Sequence, residues 1–167
     1  DFVGYTTPTF GGVMSATFNM VKGVEILGND SIDDSTSISL NYKTKSFYAA
    51  IAIDSKLEGY DSTRLTLHMP WDKTQLGIIY QDTKKLSTGV KEDGDVISLS
   101  YKVGKKGLIK VQLAESNMRF SSGKQTSFGY DYKLTKKTRA FFFFTDLSGN
   151  VESKEKEVAA VGFEYKF

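Results

Sequence analysis

Arg64 and His68 stand four residues apart in an alternating segment, so a two-residue period puts both side chains on one face. Lys110, flanked by Ile109 and Val111, and Arg139, just after a lysine-rich turn, are further basic groups set among apolar residues. Fixed cations along a wetted wall attract and orient charged solutes, although the same groups also serve simply to hydrate a polar surface. His68 is the only histidine. A Ser–His–acid nucleophile would have to use it, but no nucleophile motif accompanies it and the serines are scattered, so no catalytic residue is expected. No Asp/Glu/His spacing resembles a transition-metal site, and no cofactor is expected. The acidic stretches 29–34 and 92–95 have a composition that binds Ca²⁺ weakly, and ordinary solvated turns share it. Gly4, Gly11, Gly12, Gly77 and Gly129 form no phosphate-cradling pattern; turns and close strand packing account for them.

The elements that must position these groups are strands. Ile38, Leu40 and Tyr42 alternate with serines, Asn41 and Lys43; Leu65, Leu67 and Met69 alternate with Arg64, Thr66 and His68. The same period runs through Ile97–Val103, Ile109–Leu113, Phe128–Leu134 and Val161–Phe167, and no long segment fits a helical period better. About eleven strands follow, over 1–7, 13–22, 35–43, 46–54, 60–69, 74–82, 95–103, 107–115, 124–134, 138–146 and 157–167. Strands of roughly 8–11 residues cross a bilayer when tilted. In 47–53 and 139–145 both faces are apolar, so alternation does not fix the register there.

Composition is compatible with such a membrane barrel. The 167 residues imply one domain, or part of one, spanning 1–167. Cysteine is absent, which argues against a disulfide-stapled secreted scaffold. A net charge of +2 offers no field for nucleic acid. No apolar run is long enough for a transmembrane helix. Mean hydropathy of −0.30 is no objection, because half of each barrel strand faces water. Connections alternate between short (44–45, 70–73, 104–106, 135–137) and long and polar (23–34, 83–93, 116–123, 148–156), as in barrels with tight periplasmic turns and longer outer loops. On that frame Arg64, His68 and Lys110 face the lumen, since a mid-depth basic group facing lipid costs about 2–4 kcal/mol. Tyr5, Tyr42, Trp71, Tyr80, Tyr101 and Tyr132 form aromatic girdles at the interfaces. The lysine-rich short turns are solvated tips at headgroup level. An odd strand count leaves an open edge in lipid, so the barrel is expected to need more strands than these. The chain opens at Asp1 without a charged and apolar leader, so an export signal is expected to lie upstream or to have been removed.

Two regions carry a family resemblance. Residues 3–18, Val-Gly-Tyr-Thr-Thr-Pro-Thr-Phe-Gly-Gly onward, and residues 127–146, with Tyr-Asp-Tyr-Lys-Leu-Thr-Lys-Lys-Thr, resemble hairpins of the trimeric general porins of Gram-negative outer membranes. The ending Gly162-Phe-Glu-Tyr-Lys-Phe167 is similar to that of most outer-membrane barrels. The resemblance implies an all-β, transmembrane, antiparallel up-and-down β-barrel of sixteen strands, of which this chain matches strands six to sixteen. It also implies a diffusion channel without enzymatic activity, outer-membrane location, a homotrimer, and lipid and lipopolysaccharide as surroundings. An amino-terminal portion of the same barrel, with the acidic constriction loop, would complete it. Gly162, Phe163, Tyr165 and Phe167 would be the signal read by barrel-insertion machinery, and Arg64, His68, Lys110 and Arg139 the pore-lining candidates, Arg139 close to the periplasmic turn. Two alternatives stay open: a smaller complete outer-membrane barrel, either translocator or enzyme, and a soluble β-rich adhesion domain with its aromatics in a dry interior.

Overall fold

The computed structural model describes residues 2–21, 35–117, 123–149 and 156–167, and among them eleven strands form with no helix. The acidic run 29–34 lies outside the described residues, as do parts of the expected loops at 116–123 and 148–156. All strands belong to one antiparallel sheet in sequence order, each beside the strand before and after it. The topology is therefore up-and-down, the arrangement expected from tight turns joining period-two segments.

Two compact units divide the chain. The first, Asp1–Leu67 with Ile79–Asp93, holds β1 (Phe2–Thr6), β2 (Met14–Val21), β3 (Ser35–Lys43), β4 (Tyr48–Leu57), most of β5 (Tyr60–Trp71) and the later half of β6 (Thr74–Lys85). The second, His68–Ile78 with Gly94–Phe167, holds most of β7 (Lys91–Val103), then β8 (Gly107–Ser116), β9 (Gly123–Lys133), β10 (Thr138–Ser148) and β11 (Lys156–Tyr165).

Register sorts the side chains of each unit onto two unlike faces. In the first unit, Phe18 lies opposite Ile38 and Ile38 opposite Ile53, whereas Asn19, Ser37 and Asp54 line up on the other side. In the second, Leu99, Val111, Phe128 and Phe144 form one row, and Ser98, Gln112, Ser127 and Thr145 the row behind it. No described apolar residue is buried, and Leu99, Phe128 and Phe163 are 44%, 43% and 73% exposed. A dry interior between stacked sheets would bury them, so the soluble-sandwich expectation has no support here.

The two segments that are apolar on both faces are explained by small partners. Ala50 and Ala52 of β4 occupy its polar side beside Asn41 and Ser39. Phe141 of β10 stands opposite Gly162 of β11, and a Cβ built on that glycine would meet the ring at 2.5 Å. The ring thus occupies space that only glycine leaves open. Gly162→Ala is expected to destabilise by about 1–2 kcal/mol through overpacking, read as a lower guanidinium midpoint in lipid vesicles. Truncating Phe141 to Ala in the same protein should remove the additional cost; equal penalties in both backgrounds would refute the packing account.

Connections depart from the expected alternation. β6 continues to Lys85 and β7 resumes at Lys91, so the anticipated loop 83–93 shrinks to a turn closed by Lys85 N–H donating to the Val90 carbonyl at 2.9 Å. Between β4 and β5 the chain reverses almost at once, with Lys56 and Glu58 at φ of 58° and 52° and Gly59 at 83°. Glycine absorbs part of that left-handed turn, and the Asp61 carboxylate supports the rest by accepting from Lys56 N–H at 2.9 Å.

Candidate functional site

The polar face is tied together from strand to strand. In the first unit, Arg64 on β5 donates from Nε (2.9 Å) and Nη2 (2.5 Å) to the Gln81 Oε1 of β6. Gln81 Nε2 in turn donates to Thr83 Oγ1 at 3.0 Å, and Thr83 lies 3.3 Å from the Ser62 hydroxyl. Arg64 is therefore oriented by a neutral amide, and its positive charge is not cancelled by that partner. Gln81 fixes the planar guanidinium through a two-pronged contact that a lysine would not reproduce.

In the second unit the cations meet acids. Lys110 Nζ of β8 lies 2.8 Å from Asp131 Oδ1 of β9, and Arg139 Nη1 of β10 lies 2.7 Å from Oδ2 of the same carboxylate. Arg139 Nη2 also pairs with Glu164 of β11, which has Lys166 at 3.7 Å from its other oxygen. One line of alternating charge thus crosses β8 to β11. Asp131 is only 6% exposed, whereas Lys110 and Arg139 are 46% and 42% exposed. A carboxylate withdrawn from water is tolerable here because two cations neutralise it while keeping their own contact with solvent. Arg139 Nε has no partner among the described residues.

His68 and Lys110 share a bay of about 520 Å³ whose surface includes Ser98, Ser100, Ser127 and Phe143. Ser127 exchanges a hydrogen bond with Thr145 at 2.9 Å and accepts one from Gln125 Nε2 at 2.9 Å. Among the described residues no hydrogen bond joins His68 to a hydroxyl or carboxylate. The four basic candidates therefore divide: His68, Lys110 and Arg139 belong to the second unit, Arg64 to the first.

Sequence reasoning missed Asp131, Glu164 and Gln81. Parity placed Asp131 and Glu164 on the polar side, but which cation each would oppose depends on cross-strand register, here Phe141 against Asp131 and Arg139 against Glu164. On the apolar side, Tyr5 pairs with Phe18, Tyr42 with Met14, and Tyr101 with Ile109, Tyr132 lies two residues from Tyr130 on the same face, Tyr80 alternates with Gln81, and Trp71 is 80% exposed at the end of β5. Phe163 and Tyr165 are 73% and 57% exposed, and the Phe167 ring meets Tyr165 edge-on at 5.5 Å.

The family model described as Gram-negative porin matches residues 1–151. The chain belongs to the Gram-negative porins. That membership places this porin chain in the outer membrane. It is similar in fold to the anion-selective porin of Comamonas acidovorans, with 20% identity, a TM-score of 0.75 and coverage of 100% of this chain and 59% of that one. A porin variant from Rh. blastica is 16% identical, with a TM-score of 0.66, 99% of this chain and 55% of the other. The outer membrane protein OmpT of Vibrio cholerae is 11% identical, with a TM-score of 0.61, 98% and 63%. The porin chain described here thus spans about three-fifths of the length of these structures. No curated protein matches it in sequence.

Proposed function

We propose that the full-length protein is a passive channel: a water-filled passage across the outer membrane through which ions and small hydrophilic solutes diffuse unchanged. The observation that supports this most directly is the division of the sheet into one charged, hydroxyl-rich face and one apolar face, with no apolar residue buried among those described. Such a surface needs lipid on one side and water on the other. No chemical step is assigned, and none of Arg64, His68, Lys110 and Arg139 acts as an acid, base or nucleophile. Their role is electrostatic: Arg64 contributes a fixed charge beside a neutral amide, and Lys110 and Arg139 belong to a nearly balanced cluster. Solute preference follows from passage width and that charge distribution.

The working assembly is a homotrimer in a bilayer of phospholipid and lipopolysaccharide, whose wall includes an amino-terminal portion of the same barrel. Gly162, Phe163, Tyr165 and Phe167 guide insertion through dedicated machinery. Tyr5, Tyr42, Trp71, Tyr80, Tyr101 and Tyr132 anchor the wall at the membrane interfaces. Purified full-length protein in planar bilayers is expected to give discrete, long-lived, weakly selective openings with conductance proportional to salt. Protein that is folded and inserted but non-conducting would refute transport.

A further inference from the structure

The lysines of the short turns are brought together in a way that alternation alone does not require. In the second unit, Lys102 N–H donates to the Lys73 carbonyl at 2.8 Å, Lys133 N–H to the Lys106 carbonyl at 2.9 Å, and Lys166 N–H to the Lys137 carbonyl at 2.9 Å. Three successive backbone bonds thus seat lysine beside lysine along the rim. All six are exposed. Among the described residues only Lys166 reaches a carboxylate, Glu164, and that group already holds Arg139. Like charges held on neighbouring strands repel, and a sheet that repeats the juxtaposition is less stable than one that avoids it. An anionic counterpart outside the chain removes the penalty.

We infer that the turn lysines of this rim, Lys73, Lys106 and Lys137, dock the phosphate-bearing headgroups of anionic phospholipid in the leaflet that the short turns meet. The inference rests on the porin reading, since it needs the apolar face to lie in lipid. Two observations favour a bilayer surface over a soluble polyanion. Lys106 Nζ lies 5.9 Å from the ring centre of Tyr132, a residue of the apolar face, so the cation sits at the boundary where that face ends. Trp71, 80% exposed, precedes Asp72 and Lys73 on the same rim, and indole at such a place favours the headgroup region. Lysine near an anionic leaflet gains attraction that decays over a Debye length.

Trp71 is the only tryptophan and so reports on the rim directly. Full-length protein reconstituted in vesicles of phosphatidylcholine and phosphatidylglycerol, with one or the other lipid brominated, gives the relative affinity of each at this position from fluorescence quenching. Phosphatidylglycerol is expected to be preferred by about fivefold per lysine engaged, and the preference should collapse in high salt. Lys73→Gln with Lys106→Gln should abolish it, and the matching Arg variants should keep it. Equal quenching by both lipids overturns the rim inference but leaves the porin reading intact. Quenching by neither overturns the porin reading itself. Loss of the preference on adding soluble polyphosphate at the same phosphate concentration and ionic strength would show that the rim reads a polyanion rather than a membrane.

Discussion

Asp131→Asn is expected to weaken the fold and move ion preference toward anions together. The carboxylate lies almost out of solvent with Lys110 on one oxygen and Arg139 on the other. Asparagine keeps its shape but removes the charge and turns an NH₂ toward one of the two cations. Because both cations are roughly half exposed, they regain water, so the full penalty of a stranded buried charge is not reached. Losing two charge-assisted hydrogen bonds should cost about 1–3 kcal/mol. The cluster of Lys110, Arg139 and Lys166 with Asp131 and Glu164 goes from one surplus positive charge to two. One unit charge at about 4 Å in water is worth roughly 1 kcal/mol, so anion permeability relative to cations should rise about fivefold at low salt. The measurements are a guanidinium unfolding midpoint in vesicles and a reversal potential in a salt gradient. If neither moves, Asp131 is not held between the two cations.

How much of this was legible in the chain follows from what a two-residue period encodes. Alternation of Leu99, Tyr101 and Ile97 with Ser98 and Ser100 fixes which face each side chain occupies, and that is why eleven strands were recognisable within a few residues. Strand ends were less so. Lys84, Lys85, Glu92 and Asp93 look like loop residues, yet they extend β6 and β7, because charged side chains are compatible with strand backbone where a sheet projects into water. The polar chemistry was only half visible. Lys110 and Asp131 are both on the polar side by parity, but Lys110 stands directly opposite Gly129 rather than Asp131. Their ion pair is therefore diagonal, with the lysine stem passing over Gly129, where an added Cβ would lie 3.5 Å from the lysine Cε. Phe141 and Gly162 show the same limit: an aromatic on the polar face is anomalous until the register puts a glycine opposite it.

Arg64→Glu is the contrasting experiment, because it should change selectivity without touching stability. Arg64 is exposed, and its partner Gln81 remains anchored to Thr83 at 3.0 Å when the guanidinium is removed. An exposed substitution of this kind shifts folding by no more than about 0.5 kcal/mol. The local charge changes by two units next to a neutral amide, so the cation-to-anion permeability ratio should rise by about 25-fold at low salt and by progressively less as the screening length shortens. Arg64→Gln should give roughly half that effect on a logarithmic scale. Lys110→Glu changes the same formal charge but places a second carboxylate beside Asp131, where like charges oppose one another. Its selectivity shift should therefore come with a lower unfolding midpoint, whereas that of Arg64→Glu should not. Unchanged reversal potentials for Arg64→Glu at low salt, in a protein that still conducts, would show that this strand does not border the ion path. The lumenal assignment of its even-numbered face would then have to be abandoned.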